Sequence, residues 1–208
     1  MNNYFIRIYI QEIQTQCGYA IAACQAADQA LRHCRVAANS DERKFAMGEV
    51  FRNLHSVLTH ASNVSKMFWP SSVRQQMHGE TDEEYLQRLK NVPKEFDRAT
   101  RGAVLKDLFE VEDESPLSSK SLRNHLEHYD ERMDEWRAES VSQSFSSGGI
   151  APIAAVSVFG ATNSFRHFDP ETRLFHFRGG EFSIQAQLTE VCKISDRSLH
   201  LQKDGWSL

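Results

Sequence analysis

The sequence predicts a mainly α protein: an up-and-down helical bundle with a small C-terminal antiparallel β-meander or hairpin and a final helix. Three observations predict it. Apolar residues recur at steps of three and four through two long N-terminal stretches. Two shorter stretches repeat the pattern, joined by polar connections. After Ala138 the composition changes to a Ser/Gly linker, Glu139–Gly149, followed by short apolar runs separated by turn residues.

The first stretch, residues 4–36, carries its stripe at Ile6, Ile10, Ile13, Cys17, Ala20, Cys24, Ala27, Leu31 and Cys34. Its many alanines allow a neighbouring helix to approach closely. Asn39-Ser40-Asp41 ends this helix and offers N-caps to the next. The second helix runs from about Glu42 to Trp69, with Met47, Val50, Phe51, Leu54, Val57, Leu58, Ala61, Val64, Met67 and Phe68 on its apolar face, and Pro70 stops it. Residues 71–94 are more polar, with a short helix at Thr81–Lys90 capped by Thr81 or Asp82. A further helix is expected from about Glu95 to Val111, with Phe96, Ala99, Ala103, Val104, Leu108 and Phe109 buried. Ser118 or Ser119 can cap a fourth, in which Leu122, Leu126, Tyr129, Met133 and Trp136 keep the period.

Beyond the linker, Ile153–Phe159, Ser164–His167 and Arg173–Phe177 read as strands, with a turn at Phe168–Thr172 and a break at Gly179-Gly180. Leu174 and His176 should face one side of the sheet, Phe175 and Phe177 the other. Ser183 can cap a last helix in which Ile184, Leu188, Val191, Cys192 and Ile194 or Ser195 keep a 3.6 period. Residues 1–140 therefore form the bundle, and 141–208 an extension of hairpin and helix packed on it.

With 208 residues, 40% of them hydrophobic and 25% charged, the chain is long enough for one good core. Its net charge of −4 excludes a broad basic surface for nucleic acid. No run approaches the roughly 18 apolar residues of a membrane span. Met1–Ile10 lacks the basic region of a secretory leader and reads as part of the fold. Cys17, Cys24, Cys34 and Cys192 include no Cys-x-x-Cys pair, the usage of free thiols in a reducing compartment. A cytoplasmic location is expected.

Polar chemistry concentrates between Arg123 and Tyr129, where an Arg, an Asn, two His and a Tyr fall within seven residues. On a helix Asn124 and His128 share one flank with Arg132 nearby, and His125 borders the apolar stripe. Arg123 lies about 140° from His128. On that side it can pair with Glu127 or Asp130. His55 and His60 of the second helix join the candidate binding residues if they face this segment across the bundle.

Arg123-Asn124-His125-Leu126-Glu127-His128 resembles the Arg-x4–6-His motif of the HEPN superfamily, in which a polar residue, often Asn, follows the Arg. The placement of the motif near the start of a late helix is similar as well. The resemblance implies a compact helical bundle, commonly homodimeric. It also implies a metal-independent endoribonuclease of the toxin–antitoxin or phage-defence kind, with Arg123 and His128 of both protomers lining a cleft and Asn124 orienting the His or the phosphate. RNA and an antitoxin-like protein are the implied partners. One toxin subgroup has a Tyr two positions past the His, where this chain has Asp130.

The residue types suit that chemistry. An imidazole near neutral pKa can move protons at a 2′-hydroxyl or leaving oxygen, and a forked guanidinium can stabilise charge on a phosphorane. The alternative is a non-catalytic helical module for protein–protein, nucleotide or RNA binding, in which these residues make surface ion pairs. Between Leu108 and Arg137 Asp and Glu outnumber Lys and Arg, which favours that alternative. No Gly-rich phosphate loop, His-Glu-x-x-His or nucleophile elbow is present, and no cofactor or metal is expected. His167 and His176 read as cross-strand neighbours at half-exposed positions, and the phenylalanines around them as packing against the bundle.

Overall fold

A computed structural model describes residues 3–71, 76–90, 98–119, 121, 124, 128–139, 148–152, 165–177 and 180–206. Helix α1 (Asn3–Val36) and helix α2 (Ser40–Phe68) form an antiparallel hairpin. Every expected stripe residue of α1 is buried except Cys34, which is partly exposed. Ala20, Ala23, Ala27 and Ala30 are buried among them, so small side chains do line the close face of α1. The hairpin corner is closed by a reciprocal cap. Asn39 Oδ1 accepts from the amides of Asp41 and Glu42, while the Glu42 carboxylate accepts from Ala38 N and Asn39 Nδ2.

Helix α3 (Asp82–Lys90) has the expected limits and a Thr81/Glu84 capping box, and none of its residues is buried. Helix α4 (Arg98–Phe109) buries Gly102, Leu105 and Phe109. Ala99 and Ala103, expected inside, are exposed. The helix is turned so that Gly102 meets the end of α2. A Cβ at Gly102 would lie 2.6 Å from the Phe68 carbonyl oxygen and 2.8 Å from Pro70 Cδ. Gly102→Ala should therefore cost about 1–3 kcal/mol through overpacking. Urea denaturation checks this, and an unchanged midpoint would refute it.

A 3₁₀ turn at Pro116–Ser118 follows, capped by Ser115. It is pinned by hydrogen bonds from Ser65 Oγ to Leu117 O and from Gln187 Nε2 to Pro116 O. Helix α5 (Tyr129–Glu139) has Tyr129 and Trp136 packed against the core. Met133, expected on the same stripe, is 46% exposed.

The sheet runs β1 (Gly149–Ile150), β2 (Arg166–Asp169), β3 (Leu174–Phe177), β4 (Gly180–Ser183) in spatial order. The expected strand at 153–159 lies outside the described residues. Strands β2, β3 and β4 form the antiparallel meander, whereas β1 pairs parallel to β2. The chain between β1 and β2 is long enough for the crossover that parallel pairing needs, where a hairpin would need only a tight turn. Strand β3 ends at Phe177, in line with the expected break at Gly179-Gly180, and a further strand not expected from the sequence, β4, opens at Gly180 opposite Phe177. The turn between β2 and β3 places Arg173 at φ 60, with Asp169 Oδ1 accepting from the amides of Glu171 and Thr172. Arg173 then reaches back in a two-pronged ion pair to Asp28 of α1.

Helix α6 (Ile184–Leu201), capped by Ser183 Oγ on Ala186 N, runs antiparallel to α1. Gln14 Nε2 donates to Ser195 Oγ, and Ser198 Oγ donates to Ile10 O. The core has two parts along the bundle. Phe165, Phe168, Phe175, Phe177 and Phe182 of the sheet pack on the corner ends of α1 and α2. At the other end Ile6, Ile10 and Ile13 meet Phe68, Leu105, Phe109, Val191 and Ile194.

Candidate functional site

The polar segment at the head of α5 is the first place to examine. Arg123 and His125 lie outside the described residues. Asn124 and His128 are exposed, and Arg132 is partly buried. The His128 amide donates to Asn124 O at 3.1 Å and the Arg132 amide to His128 O at 3.0 Å. These i→i−4 bonds hold the three residues in one helical register, so they rise along one flank. His128 Nδ1 lies 3.2 Å from a Glu131 carboxylate oxygen, with the imidazole 49% exposed. Arg132 Nη1 donates to both carboxylate oxygens of Glu135 at 2.6 Å. Asp130, Glu131 and Asp134 are exposed on the same helix.

Of the two α2 histidines, only His55 meets this region. Its ring stands edge-on to Tyr129 at 5.9 Å between centroids, and edge-on to Phe175 and Phe177 at 5.6 and 6.2 Å. Burial, with the Arg166 guanidinium beside it, pushes its pKa down to about 4. Arg166 Nη1 is 3.5 Å from His55 Nε2. A guanidinium only donates, so this nitrogen accepts and the imidazole proton sits on Nδ1. His60 turns instead toward α1. Its Nδ1 donates to Gln16 Oε1 at 2.7 Å, an oxygen that also receives Asn63 Nδ2, and its ring lies 5.1 Å from that of Tyr19. Burial lowers its pKa.

Sequence reasoning missed Arg166. It occupies the helix-facing side of β2, opposite Phe177, and its guanidinium lies 4.9 Å over the Phe51 ring. The signal was present: an Arg stands in the strand phase whose other positions, Phe168, Phe175 and Phe182, are aromatic. The close fit extends to Gly148, where a Cβ would come 2.9 Å from Phe51 Cε2 and 3.3 Å from Arg166 Nε.

His167 and His176 are indeed cross-strand partners, with ring centroids 5.9 Å apart. His167 is only 3% exposed rather than half-exposed, and its Nε2 donates to Ala151 O at 2.7 Å. That bond ties β1 to the sheet and takes up one ligating nitrogen. Glu181, opposite His176 on β4, approaches His176 Nδ1 at 3.5 Å. Among the described residues no group of three or more His, Cys, Asp and Glu is placed to hold a metal ion. Nor is any described helix long and apolar enough to cross a membrane. Comparison with known protein families, curated protein sequences and solved structures finds no match.

Proposed function

We propose that the chain is a HEPN-like endoribonuclease that works without a metal, through Arg123, Asn124 and His128. The setting of His128 carries the reading. Its imidazole stands half exposed at the head of α5, with one nitrogen against the Glu131 carboxylate. The other has no hydrogen-bond partner among the described residues, and Asn124 lies one turn before it. A carboxylate at Nδ1 favours the tautomer whose Nε2 can accept a proton, which is how a general base is oriented.

In the proposed reaction His128 removes the proton of a 2′-hydroxyl, whose oxygen attacks the adjacent phosphorus. The bond to the 5′ oxygen breaks, leaving a 2′,3′-cyclic phosphate, and that oxygen takes a proton from water as it leaves. Arg123 stabilises the charge on the phosphorane. On the helical reading of the sequence, about 140° separates Arg123 from His128. A two-fold homodimer overcomes this by bringing the Arg123 of one protomer to the His128 of its partner. An antitoxin-like protein covering that cleft would be the natural restraint on such an activity.

A second reading, the non-catalytic helical module, is favoured by Arg132. Its guanidinium is taken up by Glu135, and the acids around it give α5 a surface that repels phosphate. The two readings separate on incubating the purified protein with single-stranded RNA in the presence of EDTA. Cleavage is expected, and Arg123→Ala and His128→Ala should each slow it by at least about 100-fold while circular dichroism stays unchanged. Cleavage retained in both variants would sink the assignment. A wild-type protein that binds RNA or a protein partner but never cleaves would establish the module instead.

A further inference from the structure

A groove of about 470 Å³ opens where the end of α1, the start of α2, β1 and the β2–β3 turn converge. Leu31, Met47, Ile150, Pro152 and Pro170 supply an apolar lining. Arg35 and Arg43 also line it, and both are exposed. Its size is that of a small-ligand site, well below a protein–protein interface.

The charges at this end of the molecule are unbalanced in a way that the net charge of −4 conceals. The neighbouring acids are already engaged. Asp28 is paired with Arg173, Glu42 caps the corner through Ala38 N and Asn39 Nδ2, and Asp41 faces Lys44 at 4.0 Å. Glu171 follows Pro170 on the turn but does not line the groove. Among the described residues neither Arg35 nor Arg43 meets a carboxylate. Two uncompensated guanidiniums therefore flank an apolar surface.

The lining also selects the body of the ligand. Among the described residues the lining contains no aromatic ring on which a base could stack. The backbone of Ala151 is spent, its amide donating to Phe168 O and its carbonyl accepting from His167. Against Leu31, Met47, Ile150 and the two prolines, an aliphatic body fits best.

We infer that this groove binds a single-chain anionic amphiphile, its aliphatic tail against Leu31, Met47, Ile150 and the two prolines and its carboxylate or phosphate head between Arg35 and Arg43. The planar forks of the two guanidiniums match either head group. The Cys34 thiol lies at the same wall, near enough to Arg43 for the guanidinium to oppose the rise in its pKa that burial causes.

Calorimetric titration of the full chain with decanoate and decyl phosphate tests the inference, with decyltrimethylammonium as the matched cation. Both anions should bind saturably at one site, and the cation should bind at least about tenfold more weakly. The double variant Arg35→Glu/Arg43→Glu should lose about tenfold to a hundredfold in affinity for the anions. Met47→Trp, which fills the groove from a partly exposed position, should lose binding as well. Circular dichroism confirms that each variant is folded. Failure of both anions to bind, equal binding of the cation, or undiminished binding by the double variant would each overturn the inference. So would attachment to phosphatidylglycerol vesicles without binding of monomeric decanoate, which would assign the charges to a membrane surface.

Discussion

Phe175→Ala should lower the stability of the fold by about 3–5 kcal/mol, among the larger costs a single core truncation carries. Phe175 is 1% exposed and lies at the centre of the junction between the sheet and the helical hairpin. It stands edge-on to His55 and Phe51 of α2, at 5.6 and 6.4 Å, and stacks with Phe177 at 6.4 Å. Along the sheet it is paired with Phe168 on one side and Phe182 on the other. Removing the ring leaves a void walled by rings that belong to both layers, and these cannot all collapse into it at once. The lost aromatic contacts add to the lost burial. Urea denaturation measures the effect, and Phe175→Leu should recover much of it because most of the volume is retained. A cost below about 1 kcal/mol for the alanine variant would mean that the sheet contributes little to the stability of the bundle.

The importance of this junction was only partly legible in the sequence. Periodicity located α1, α2 and α6 well because each keeps one buried face throughout its length, and the caps at Asn39 and Ser183 mark where two of them begin. Alternation also placed Phe175 and Phe177 on the buried side of β3. What local pattern does not encode is partner choice. The pairing of β1 with β2 joins residues separated by a long crossover, and nothing in Gly149-Ile150 announces it. The end of β3 before Gly179-Gly180 was legible, but β4 was not, because a strand that opens on glycine shows little alternating side-chain pattern. In α4 the misplaced face follows from Gly102, whose missing side chain is the contact, so an apolar count cannot register it. Met133 was misassigned because it keeps helical spacing with Tyr129 and Trp136, which do pack against the core.

The candidate site divides along the same line. The common flank of Asn124, His128 and Arg132 was legible because it depends only on helical geometry. The burial of His55 against Tyr129 and Arg166 was not, since it depends on where the sheet docks. Phe165 and Phe177 come from the segment beyond the linker, so with His55 the extension and the bundle together form the surroundings of Tyr129, the residue next to His128.

That arrangement makes His55 an acid-sensitive element, and its sign is fixed. In the unfolded chain the imidazole takes up a proton near pH 6.5, whereas in the fold burial and Arg166 hold its pKa near 4. Between these values the unfolded state binds the proton and the native state does not, so stability falls as the pH drops from about 6.5 to about 4. The loss attributable to His55 should reach up to about 3 kcal/mol at the lower end and vanish above pH 7. His55→Gln provides the comparison, because the amide does not titrate and its oxygen can still accept from Arg166. Urea denaturation of both proteins at pH 7.5, 5.5 and 4.5 should show the wild type losing ground to the variant on acidification. Parallel stability profiles would mean that His55 is protonated in the fold without penalty. The Tyr129 ring closes on the same imidazole, so protonation should first loosen the head of α5. In wild type, but not in His55→Gln, hydrogen exchange at the His128 and Arg132 amides should therefore accelerate before the bundle unfolds.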